Sequence, residues 1–125
     1  MSRIFLAIAA ILGGTSVVFG AFASHALRDR LSDRALEIWE TGTRYQMYHA
    51  LALLVVALLL TNPPENSTPL AIAGYAFIAG IVLFSGSLYA LSLSGIKIFG
   101  AVTPLGGVAF IIGWICLAIA AIIPD

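Results

Sequence analysis

The chain has 125 residues, 61% of them hydrophobic and only 10% charged, with six basic residues against six acidic ones. A soluble surface needs roughly a quarter charged residues, so this composition describes a membrane protein. The absence of net charge removes the basic surface that a nucleic-acid partner requires.

Four charge-free runs, Ile4–Leu27, Tyr45–Pro64, Asn66–Ile96 and Ile98–Pro124, each reach or exceed the roughly 20 residues a helix needs to cross a bilayer core of about 30 Å. They predict an all-α, four-helix transmembrane bundle built as one integral membrane domain over 1–125, with spans at about 4–26, 45–61, 69–91 and 104–123.

In span 1, Ala21 and Ala23 before Ser24 resemble a signal-peptide cleavage site. The run is longer than a usual signal core and carries Gly13-Gly14-Thr15-Ser16 at its centre, so an uncleaved span is expected. Small residues four apart, Ala9 with Gly13 and Ala10 with Gly14, place span 1 inside the bundle. From Leu31 the pattern changes: Leu31, Ala35, Ile38 and Trp39 recur at helical spacing with Asp33, Glu37, Glu40 and Arg44 opposite them. This predicts a short amphipathic interfacial helix at about 32–43, capped by Ser32, braced by Glu40 and Arg44, and turning near Gly42 into span 2. Thr61-Asn62-Pro63-Pro64-Glu65-Asn66-Ser67 ends span 2 in a short turn, so spans 2 and 3 are antiparallel neighbours. Asn66-Ser67-Thr68 fits a glycosylation acceptor but lies close to the membrane. Span 3 carries Ser85-Gly86-Ser87-Leu88-Tyr89 near its far end. Thr103 as cap and Pro104 at the first helical position open span 4, whose Gly106, Gly107 and Gly113 offer a close-packing side. Its lone Cys116, beside Trp114 and Ile115, cannot form an intrachain disulfide and reads as small filler.

Arg28, Arg30, Arg34, Arg44 and Lys97 fall on one side of the membrane, against Arg3 on the other. The first loop is therefore expected to be cytoplasmic and both termini to lie on the opposite face.

Gly20-Ala21-Phe22 through His25-Ala26-Leu27, Tyr45-Gln46-Met47-Tyr48-His49-Ala50, Leu83-Phe84-Ser85-Gly86-Ser87-Leu88-Tyr89, and Thr103-Pro104-Leu105-Gly106-Gly107 through Gly113-Trp114 fall in order in all four spans. In these pieces the chain resembles the small membrane proteins of domain of unknown function 423, or uncharacterised protein family 0382, which includes animal transmembrane protein 256. Ser24 is a departure, since the family pattern more often has alanine there, preceded by glycine in place of Ala23. The resemblance implies a multi-pass protein of the bacterial inner membrane, or of mitochondria in a eukaryote, and it implies no established activity.

The polar residues gather at one end of the spans. His25 closes span 1 and His49 opens span 2, so antiparallel packing is expected to bring them to the same interface. Two imidazoles without cysteine or a companion carboxylate make a poor metal site, so no metal or cofactor is expected. Tyr45 with His49, and Arg44 with Tyr48, share helical sides. Together with Ser85 and Tyr89 they form a candidate ligand-binding set: His25, Tyr45, Tyr48, His49, Ser85 and Tyr89. The plainer reading of the same residues is an aromatic belt with a few interhelical bonds. Arg28, Arg30 and Arg34 read as a topology signal more than a lipid-binding patch, because Asp29 and Asp33 lie among them. No nucleophile with a base, phosphate loop or acidic dyad is present, so no enzyme is expected. The partners are the lipid bilayer and either further copies of the chain or a larger membrane complex. The expected role is a structural or assembly component; the alternative is a carrier or binding protein for a small solute, lipid or ion.

Overall fold

The computed structural model describes residues 1–123, and every regular element in them is helical. Helix α1 covers Ser2–Leu27, α-helical to Phe22 and then a π turn over Ala23–Leu27. Helix α2 covers Asp33–Leu59. Helix α3 covers Thr68–Ser94 and contains a second π turn, Ile81–Ser85, while α4 covers Ile98–Ile122. Helices α1, α3 and α4 are each long and apolar enough to cross a membrane. The close pairings are α1 with α2, α2 with α3, and α3 with α4, so α2 and α3 form the centre and α1 and α4 occupy the flanks.

Ser32 caps α2 as expected, its Oγ accepting from Ala35 N–H at 3.1 Å. The turn expected near Gly42 is absent. The amphipathic segment and the second span are one continuous helix, and Gly42 serves packing instead: a Cβ there would lie 2.7 Å from the Tyr89 ring. A glycine within a helix costs about 1 kcal/mol of propensity, which this close approach of α3 offsets. The ion pair expected between Glu40 and Arg44 is likewise not formed. Among the described residues the pair is Arg34 with Glu37, 3.5 Å apart and solvent-exposed, where such contacts contribute little.

Helix α4 starts six residues before Pro104, which therefore sits inside it rather than at its first position. The residue four before the proline, whose carbonyl the ring crowds, is Gly100. Thr103 does not cap a helix; its Oγ1 lies 2.6 Å from Ser87 Oγ and ties α4 to α3.

Four glycines, one where α3 meets α1 and three where α3 meets α4, do what small residues allow. Gly74 receives the Phe5 ring, Gly80 the Phe110 ring, Gly113 the Phe77 ring, and Gly106 lies against the backbone of Phe84 within the α3 π turn. The expectation fails for α1. A Cβ on Gly13, Gly14 or Gly20 would meet nothing within 4 Å, and the same holds for Gly107. Helix α1 is a flanking helix that buries Phe5, Ala9, Ser16, Ala23 and Leu27 and turns its glycines away from that side.

The interior is layered. At the end away from the first loop, Phe5, Ala52, Leu53, Val56, Leu70, Phe77, Ile81 and Phe110 pack into an apolar core. Near the first loop, Ala23, Leu27 and Trp39 make a smaller cluster with Phe19 and Tyr89. Most of the buried polar side chains lie between the two, with Ser92 nearer the first loop, and these define the site.

Candidate functional site

On α2, Trp39, Thr43, Gln46, Ala50, Leu53 and Ala57 recur every three or four residues and are all buried, so the helix turns a single stripe inward that is polar in its first half and apolar in its second. Gln46 is the hub of the polar half. Its Nε2 donates to Leu12 O and to Thr15 Oγ1, both at 2.8 Å, and its Oε1 accepts from the Tyr89 hydroxyl at 2.7 Å. One side chain thereby joins α1, α2 and α3. Around it, Ser16 Oγ donates to Thr43 O, Ser85 Oγ to Gly42 O, Trp39 Nε1 to Phe19 O and Ser92 Oγ to Ala35 O, at 2.6–2.9 Å. Among the described residues no buried side-chain nitrogen or oxygen lacks a partner.

His49 is closed on both sides. Trp114 Nε1–H donates to His49 Nε2 at 3.1 Å, so the ring proton sits on Nδ1 and is given to Tyr45 O at 2.7 Å. The imidazole also stacks on Phe110, with ring centres 3.5 Å apart and planes 9° from parallel. It has no lone pair free for a metal ion.

The two histidines are not neighbours. Leu12 faces Gln46 and Phe19 faces Trp39, so His49 lies level with the first half of α1 and His25 level with the start of α2. The offset is about 24 Å at 1.5 Å per residue. The cause is the continuous α2 helix: it begins at Asp33, so His49 stands more than four turns from the loop. His25 is exposed beyond the bundle's polar layer.

The remaining candidates divide into two places. Ser85 and Tyr89 belong to the hydrogen-bonded seam, Ser85 being wholly buried. Tyr45, Tyr48 and His49 instead line a lateral groove of about 490 Å³, with Phe84 of α3 and Gly107, Phe110, Ile111 and Trp114 of α4. Its walls are almost entirely hydrocarbon and aromatic ring, because the polar atoms of His49 and Trp114 are spent on each other. Gln46 and Trp114 were missing from the expected set. The inward stripe of α2 was the available signal for Gln46, whereas nothing in the spacing of α4 singled out Trp114 as the partner of His49.

The model of the family described as "Protein of unknown function (DUF423)" matches residues 19–107. The chain belongs to this family. It is 48% identical over 120 residues to the UPF0382 membrane protein YwdK of Bacillus subtilis (strain 168), covering 96% of this chain and 97% of the relative. It is 47% identical over 120 residues to a UPF0382 membrane protein of Staphylococcus epidermidis (strain ATCC 12228 / FDA PCI 1200), covering 96% of each. No solved structure matches. As a DUF423 protein, the chain is a membrane protein; of its site residues, Phe19, Trp39, Gln46, His49, Ser85 and Tyr89 fall within the matched segment, while Thr15, Ser16, Phe110 and Trp114 lie outside it.

Proposed function

We propose that this DUF423 protein is a non-enzymatic structural component of a bacterial plasma membrane, packing with further copies of itself or with another membrane complex. The observation that carries this reading is the closed polar interior: each buried polar side chain among the described residues is engaged, and the seam joins neighbouring helices. A route for a solute or proton needs polar groups that face a passage, whereas these are fasteners. The outward glycines of α1 fit the same reading, since small residues on a lipid-facing side let a second helix approach closely.

Histidine substitution tests it. His49→Gln keeps one donor and one acceptor for Tyr45 O and Trp114, and His25 has no role in the seam. The double glutamine variant is therefore expected to retain the parent's melting temperature and its assemblies by native mass spectrometry of gently extracted protein. A parent protein found without further copies or a partner but with a bound solute or ion, which the well-folded double variant loses, would overturn the structural role and favour the carrier reading, for which the open groove beside Tyr45, Tyr48 and His49 is the supporting observation.

Within the same proposal the first loop is cytoplasmic and both termini lie outside. The Ser92–Ala35 bond brings the end of α3 beside the start of α2, which supports counting Lys97 with Arg28, Arg30, Arg34 and Arg44 on one face. Reporter fusions in the first loop and at Asp125, a residue outside the described range, are expected to give opposite signals. A cytoplasmic signal at Asp125 would reverse the orientation.

A further inference from the structure

The lateral groove between α2 and α4 has a shape and a chemistry that the seam does not explain. Gly107 stands in its wall and a Cβ there would meet nothing within 4 Å, so the glycine keeps space open instead of admitting a neighbouring helix. The adjacent Gly106 is the opposite case, pressed against Phe84. Phe84, Phe110, Ile111 and Trp114 offer the interior of the groove no free hydrogen-bonding atom, the Trp114 N–H being given to His49. An occupant must therefore be hydrocarbon over the buried part of its length.

The mouth of the groove is different. Tyr45 and Tyr48 are exposed at 39% and 54%, and Arg44 is exposed beside them. Neither tyrosine hydroxyl nor the Arg44 guanidinium has a hydrogen-bond or ion-pair partner among the described residues. Helix α2 is about 40 Å long at 1.5 Å per residue, against a hydrocarbon core of about 30 Å. With its apolar end at the far side, residues 33–39 stand outside the hydrocarbon, Arg44 and Tyr45 fall about 7–8 Å inside the boundary, and Tyr48 lies nearly a turn deeper. Side chains lean toward the N-terminus of their helix, which lifts these polar tips toward the headgroups. A free phenolic donor on Tyr45 and a free cation on Arg44 complement a phosphate.

We propose that the groove holds one acyl chain of an anionic phospholipid, with the lipid phosphate received by Arg44 and the Tyr45 hydroxyl, and with the Tyr48 ring in the groove wall below them. The site is separate from the seam and stands whether or not the protein assembles with others.

The test is native mass spectrometry of the full chain, delipidated in mild detergent and titrated in parallel with phosphatidylglycerol and phosphatidylcholine. The parent is expected to retain one phosphatidylglycerol in preference to phosphatidylcholine. Arg44→Gln should lower that preference roughly fivefold, the value of one charge near an anionic headgroup, while Arg28→Gln, in the loop, leaves it unchanged. Gly107→Leu fills the groove and should lower retention of both lipids at least tenfold with an unaltered melting temperature. Ile111→Phe fills it from an exposed position and serves if the leucine variant fails to fold. Equal retention of the two lipids by the parent, or retention unchanged by both groove-filling variants, would overturn the site. So would a lipid-free dimer that Gly107→Leu dissociates.

Discussion

Gly106→Leu is expected to prevent the bundle from folding, while Gly107→Leu one residue later melts like the parent. The added Cβ at Gly106 would run into the backbone of Phe84, and a backbone held in a π turn between two packed helices cannot step aside as a ring can. Overpacking typically costs about 1–3 kcal/mol when side chains can adjust; the backbone collision places Gly106→Leu at or above the top of that range. Thermal unfolding in detergent, with circular dichroism and elution volume as paired readouts, makes the comparison. Equal melting of the two variants would mean that α4 does not contact α3 through Gly106.

Gln46→Leu, which keeps nearly the same volume, should destabilise by about 2–4 kcal/mol. The two bonds given by Gln46 Nε2 are lost, each worth about 0.6 kcal/mol on average in a membrane interior. The loss also strands the Tyr89 hydroxyl, at a further cost of about 1–3 kcal/mol. Adding Tyr89→Phe removes the stranded group, so the double variant should be less unstable than the sum of the singles. Strict additivity, measured by the same melting experiment, would show that Gln46 and Tyr89 do not act through one bond.

The four helices were legible because a hydrocarbon solvent demands long uncharged runs, and this chain has four of them separated by its charges and prolines. What misled were residues whose local meaning differs from their packed one. Gly42 reads as a turn and is a socket for Tyr89; Pro104 reads as a helix start and lies inside a helix behind Gly100; Gly13 and Gly107 read as contact points and touch nothing. Local rules describe an isolated segment, and at these positions the neighbouring helix decides. The candidate site shows the same division. Tyr45, Tyr48 and His49 do share a wall, since spacing along one helix is readable. Pairing His25 with His49 required knowing how far α2 extends toward the loop, and one continuous helix separates them by several turns.

The seam also bears on how the family can change over time. Ser16, Trp39, Ser85 and Ser92 each donate to a main-chain carbonyl of a neighbouring helix, and a carbonyl is present whatever amino acid occupies that position. A substitution at Ala35 or Thr43 therefore leaves its acceptor in place and calls for no matching change at Ser92 or Ser16. Co-varying pairs, which ordinarily betray residues in contact, should be faint along these four bonds and clearer between Gln46 and Tyr89, where both partners are side chains. Evolutionary drift can thus rewrite the acceptor side of the Ser16 and Ser92 fasteners without the donor registering it, whereas Gly42, acceptor for Ser85, is held by the Tyr89 ring.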